Sequence, residues 1–214
     1  MNVNNSEQLK AAAEAGNIDL LYAVIHDDPY ILECIDSIPF VDTPLHIAAS
    51  MGHLQFAIEI MRLKPSFALK LNQQGFSPIH LAMQNGHKTM VSRFVNINKE
   101  LVSVQGREGM TPLHIASETG EVDLLTNFII LCPESIKYLT VRCETALHLA
   151  VKNRRYEALQ ILVGWLKTNE KSGAKELEKK VLNQEDEEGN TILHISALSN
   201  ELIYIFFNFT SPPI

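Results

Sequence analysis

Histidine is the residue in this sequence best suited to chemistry. Eight occur among 214 residues, and five are periodic: His46, His80, His114 and His148 stand 34 residues apart, and His194 follows 46 later, which is 34 plus 12. Imidazole ligates zinc and serves as a general base near neutral pH. A shared metal needs each ligand nitrogen about 2.0–2.1 Å from the ion. Histidines carried by successive packed helices are held about 8–10 Å apart. The periodic set therefore reads as structure. Each imidazole is expected to bond the hydroxyl residue three positions before it (Thr43, Ser77, Thr111, Thr145, Thr191) and a backbone group of a turn. His53 and His87, each seven after a motif histidine, repeat as well and read the same way.

The rest of the chain offers no catalytic constellation. It has no G-x-S-x-G elbow, no phosphate-cradling glycine loop and no H-E-x-x-H pair. The run Glu185-Asp186-Glu187-Glu188 lacks the alternating spacing and distal glutamate of a calcium loop, and reads as solvated. An enzyme, a cofactor, a bound metal and a small-molecule substrate are all unexpected. Cys34, Cys132 and Cys143 form no C-x-x-C pair, and no secretory signal precedes them, so a reducing cytosolic or nuclear setting with structural thiols is expected. Without such a signal, the sequon Asn208-Phe209-Thr210 carries no meaning. The net charge of −7 argues against nucleic acid. That charge is concentrated: residues 1–36 hold seven acids against Lys10 alone, while the remainder is nearly neutral. This acidic end is either a solvated capping face or a docking surface for a basic partner.

Positioning elements follow from the motif around each histidine. Thr43-Pro-Leu-His-Ile-Ala48, Ser77-Pro-Ile-His-Leu-Ala82, Thr111-Pro-Leu-His-Ile-Ala116, Thr145-Ala-Leu-His-Leu-Ala150 and Thr191-Ile-Leu-His-Ile-Ser196 recur in fixed phase, and Gln8–Ala13 is a degenerate first copy. Thr or Ser suits an N-cap, and Pro suits the first helical position, where no N–H is needed. Gly52, Gly86 and Gly120, six after the histidine, suit a left-handed helix stop; Arg154 and Asn200 replace them in the later units. A second apolar helix is expected over 54–63, 90–97, 122–131 and 156–166. Gly75, Gly109 and Gly189 fit a tight turn before the next unit, and the turns with Val41 and Cys143 in that place should differ. A unit this small cannot bury its own apolar face and must stack on its neighbours. The insertion 169–180 (NEKSGAKELEKK) reads as an exposed, mobile loop.

These motifs resemble the ankyrin repeat, whose T-P-L-H-x-A signature has nearly this period. The resemblance implies an all-α ankyrin-repeat solenoid of about six helix-turn-helix units with extended turns between them. The repeat domain spans 1–200, with units near 5–37, 38–71, 72–105, 106–139, 140–182 (holding the charged insertion) and an incomplete 183–214. The linker segments Asp28-Pro-Tyr-Ile-Leu32, Lys64-Pro-Ser-Phe-Ala-Leu69, Asn98-Lys-Glu-Leu101 and Cys132-Pro-Glu-Ser-Ile136, with 109–114, 157–166 and 189–194, look like the plant ankyrin proteins of the bian da and accelerated-cell-death type. That resemblance implies immune signalling at a membrane, since members of the group carry a C-terminal membrane domain after their repeats.

Binding is then expected on the concave groove of turn tips and outer positions of the first helices. Phe76 and Met110 follow the turn glycines and are either apolar anchors or packed back on neighbouring turns. Met51, Gln84, Asn85, Glu118 and Lys152 lie on the outer helix positions, and Arg142 flanks a tip. Residues 201–214 are apolar on all sides and depart from the repeat, as a shortened form, a hydrophobic cap or an attachment to membrane or partner would. The function these features imply is an adaptor with a protein partner, cytoplasmic, or at the cytosolic face of the plasma membrane in a longer form. The alternative is a cytosolic regulatory domain of a multi-pass channel or transporter-like protein.

Overall fold

The computed structural model describes residues 3–169 and 173–198; the apolar tail 201–214, Asn200, Ser172 and the sequon at Asn208 lie outside them. The described residues form helices and turns with no strand. Two compact units divide the chain, Met1–Arg107 and Glu108–Ile214.

In Met1–Arg107 the helices are α1 (Val3–Ala15), α2 (Ile18–Asp27), α3 (Ile31–Asp36), α4 (Pro44–Met51), α5 (Leu54–Leu63), α6 (Pro78–Gln84) and α7 (Lys88–Ile97). The first helix of each repeat packs on the next, α1 on α4 and α4 on α6, while α2, α5 and α7 pair with their own partners. Small residues permit this closeness: Ala12, Ala13, Ala48, Ala49 and Ala82 are fully buried. Phe56, Phe67, Phe94 and Leu101 fill the layer beneath. Short 3-10 turns over Pro65–Leu69 and Lys99–Ser103 follow the second helices and tuck Phe67 and Leu101 into that layer.

In Glu108–Ile214 the helices are α8 (Pro112–Thr119), α9 (Val122–Leu131), α10 (Ala146–Lys152), α11 (Tyr156–Thr168), α12 (Ala174–Leu182) and α13 (Ile192–Leu198). The inner helices stack in order, α8 on α10 and α10 on α13. A third 3-10 turn, Pro133–Lys137, buries Ile136.

Two expectations need correction. Most of the charged insertion is helix rather than loop: α12 packs on α11, because Ala174, Leu177 and Val181 share one face at helical spacing and Ala174 and Val181 are buried. The turn at Cys143 is not different. Cys143 adopts φ 58 where Gly75, Gly109 and Gly189 have φ 73–81, and its N–H donates to Thr140 O as that of Gly75 does to Asn72 O. At Val41 the turn does change, and the positive φ moves one residue back, to Phe40 at 51°.

Candidate functional site

The periodic histidines are the centre of the construction. Thr43 caps α4, and its hydroxyl accepts the backbone N–H of His46 at 3.4 Å. His46 Nδ1 in turn accepts the N–H of Thr43 at 3.2 Å and lies 2.8 Å from its hydroxyl. With Nδ1 accepting, the proton belongs on Nε2, which donates to Phe76 O at 3.0 Å in the next hairpin. One neutral imidazole thus closes its own helix and tethers the following turn. Ser77 and His80, Thr111 and His114, and Thr145 and His148 repeat the box, and His148 Nε2 donates to Asn190 O at 3.2 Å. His114 Nε2 is buried without an acceptor in hydrogen-bond geometry, although the Glu144 and Tyr138 carbonyls lie near enough to favour its charge.

Burial pushes His46 and His114 down to about 4, against the opposing pull of backbone carbonyls, and it lowers His148 as well. None of these rings offers a free lone pair to a metal, and among the described residues no group of His, Cys, Asp and Glu is arranged to hold one. Thr191 and His194 also contact each other at 3.1 Å, but His194 and Leu193 are exposed, whereas their equivalents in the earlier repeats are fully buried.

A second stitch runs backwards. His53 Nε2 bonds Glu14 O at 2.8 Å, His87 Nε2 bonds Ser50 O at 3.0 Å, and Arg155 Nε donates to Glu118 O at 3.0 Å. Each satisfies a carbonyl near the C-terminal end of the preceding inner helix, where the helix itself leaves acceptors unpaired.

Residues missed by the sequence reading shape the turn tips. Asn72 Oδ1 accepts the N–H groups of Gln74 and Phe76, Thr140 Oγ1 those of Arg142 and Glu144, and Asp186 Oδ1 those of Glu188 and Asn190. All three lie eight residues before a motif histidine. A polar side chain four residues before the tip's end is the available signal for such a turn.

The expected binding residues separate into two groups. In Met1–Arg107, Met51 is 55% exposed at the end of α4, and Gln84 and Asn85 are exposed at the end of α6. Asn85 Nδ2 reaches Ser50 Oγ at 3.5 Å, which places these helix ends side by side. Phe76 is half-buried, with its ring 6.5 Å from that of His80. Phe40, 60% exposed at the preceding tip, is the apolar residue the glycine pattern did not reveal. In Glu108–Ile214, Met110 and Glu118 are half-buried. Arg142 is exposed beside Glu187 at 3.7 Å. Lys152 is already engaged: Nζ donates to Glu144 Oε1 at 2.7 Å and Asp186 Oδ2 at 2.9 Å. Burial opposes ionisation of Asp186, yet Lys152 and the Asn190 and Glu188 amides hold its carboxyl below the usual range.

Among the described residues no helix is long and apolar enough to cross a membrane. The model for ankyrin repeats matches residues 9–103, 60–141 and 94–172. Ankyrin repeat-containing protein BDA1 of Arabidopsis thaliana is 64% identical over 193 residues, covering 90% of this chain. The chain spans 45% of that relative. Capped inner helices, tethered hairpins and these matches agree, and the chain belongs to the ankyrin-repeat family.

Proposed function

We propose that this chain is a protein–protein interaction adaptor in plant defence signalling and performs no chemistry of its own. The observation that carries the reading is the division of labour in the repeats. His46, His80, His114 and His148 close capping boxes, and His46 and His148 also tether the following turn, which leaves the tips and the open side of the inner helices as preformed surface. The binding residues proposed on that surface are Phe76, Met51, Gln84 and Asn85 in one unit and Met110, Glu118, Arg142 and Lys152 in the other. The defence assignment is supported by the linker segments that look like the bian da type and by the identity to the Arabidopsis relative. Residence in the cytoplasm belongs to the same proposal.

Affinity purification from plant cells tests it. A partner held by the wild-type chain and lost by an equally folded Met51→Ala/Phe76→Ala chain is expected. An unchanged partner set overturns the assignment of the surface. The chain spans less than half of the relative's length, and the further reading is a cytosolic regulatory domain of a longer channel or transporter-like membrane protein. Recovery of the longest gene product as an integral membrane protein would support that reading over a free adaptor.

A further inference from the structure

We infer that Ser66 is a phosphorylation site, and that its phosphoryl group displaces Asp36 from Lys64 and Lys70 and loosens the seam between the first two repeats. The inference goes beyond the adaptor reading and does not depend on it.

Three side chains converge on one carboxylate. Asp36 ends α3 in the first repeat, and Ser66 is the second residue of the 3-10 turn Pro65–Leu69 in the next. Ser66 Oγ donates to Asp36 Oδ2 at 2.8 Å. Lys64 Nζ stands 3.1 Å from Asp36 Oδ2 and 3.8 Å from Glu33 Oε1. Lys70 Nζ donates to the Asp36 backbone carbonyl and lies 3.5 Å from Oδ1. Burial opposes ionisation of Asp36, yet the Ser66 hydroxyl and the two ammonium groups hold its carboxyl below the usual range. The lysine side chains are only 20% and 15% exposed, so both charges are fixed beside the hydroxyl.

Ser66 itself is exposed. Ser37, Thr119 and Thr168 are exposed too, but their hydroxyls donate to nearby backbone carbonyls. The Ser66 hydroxyl instead meets an ionised group flanked by two cations, and fixed cations are what a phosphoryl group needs for charge-assisted hydrogen bonds. The repeat register points the same way. Ser66 follows the motif residue His46 by 20, and the residues 20 after His80 and His114 are Glu100 and Glu134. Each is the second residue of its 3-10 turn, and both glutamates are exposed. The turn therefore accepts a negative side chain at this position. In the second repeat that charge is conditional on modification.

A protein kinase moves the terminal phosphoryl group of a nucleoside triphosphate to Ser66. The Oγ–P bond forms, the bond from that phosphorus to its bridging oxygen breaks, the nucleoside diphosphate leaves, and the hydroxyl proton passes to the kinase. Esterified Oγ no longer donates to Asp36. Glu33 and Asp36 balance Lys64 and Lys70 before the step, and phosphorylation adds a charge of about −1.5 to −2. The phosphoryl oxygens take the two lysines, and Asp36 is repelled. Ile31, Leu32 and Ile35 stay buried on α3, so the seam loosens without global unfolding.

Two measurements on the full chain test this. Phosphopeptide mapping of the chain purified from plant cells should find phosphate on Ser66. Hydrogen–deuterium exchange should then compare the chain carrying phosphoserine at position 66 with the unmodified one. Exchange over 33–38 should accelerate by roughly fivefold, as loss of one charged contact allows. Ser66→Ala, which removes the hydrogen bond without adding charge, should change it much less. In Asp36→Asn, where no carboxylate is repelled, phosphorylation should produce no acceleration. An unmodified Ser66 in cells overturns the inference. So does unchanged exchange over 33–38, an equal effect of Ser66→Ala, or equal acceleration in Asp36→Asn.

Discussion

His87 lies beneath Gly52. A Cβ on Gly52 would sit 2.7 Å from the His87 ring, whose Nε2 bonds Ser50 O at 3.0 Å. The glycine that ends one inner helix is thus also the space through which the next repeat reaches back. Sequence shows the glycine as a helix stop, and the structure adds the second reason for it.

Gly52→Ala should accordingly be costly. It imposes a left-handed alanine, worth about 1–2 kcal/mol, and drives the His87 ring off its carbonyl, losing about 1 kcal/mol more. Gly86 has φ 73, but a Cβ there meets nothing within 4 Å, so Gly86→Ala should cost the backbone term alone. Urea denaturation of the two variants is the check. Equal losses would mean that the His87 stitch contributes nothing.

Acid should unfold the protein in a defined window. His46 and His114 hold folded pKa values of about 4 against 6.5 as the ordinary value. Between those values the unfolded chain binds more protons than the folded one, so stability falls as the pH is lowered. The contribution is complete above about pH 6.5, is lost progressively toward pH 4, and falls no further from this source below it. Each histidine is worth on the order of 3 kcal/mol across the window. Urea midpoints measured from pH 7 to pH 4 should decline, and a flat profile would contradict the neutral, buried assignment.

Lys152 should matter to stability more than Arg142 does. Removing the Lys152 ammonium strands Glu144 and Asp186, whose side chains are 8% and 0% exposed. Loss of one partner from a buried pair costs about 3–5 kcal/mol; the part-exposed Lys152 places this case nearer 2 kcal/mol. Arg142→Ala touches only an exposed pair and should cost under about 1 kcal/mol. Glu144→Gln should recover part of the Lys152→Ala loss. Thermal melting of the three variants decides it, and similar behaviour of Lys152→Ala and Arg142→Ala would remove the network from the account.

Much of the fold was legible because the repeat spaces one hydroxyl, one imidazole and one small residue at constant intervals, and each has a mechanical reason to recur. Helices over Leu54–Leu63 and Val122–Leu131 could be read because their apolar residues follow one face. What stayed hidden did so for local reasons. The helix α12 is dense in Lys and Glu, and its thin apolar face of Ala174, Leu177 and Val181 is outweighed in composition. Asn72, Thr140 and Asp186 perform one task with three residue types, so no identity repeats. Phe40 was missed because the glycine pattern breaks at Val41 and the left-handed residue shifts by one. The ion pairs of Lys152 were hidden because its partners lie eight residues before it and 34 after it.

Recognition through the inner face of Met1–Arg107 is the central claim, and hydrogen–deuterium exchange of the full chain with and without its captured partner tests it most directly. Protection is predicted at the tip and inner-helix segments 39–51 and 73–85, with the second helices 54–63 and 88–97 unchanged. Protection confined to those second helices, with none at either tip, would contradict it.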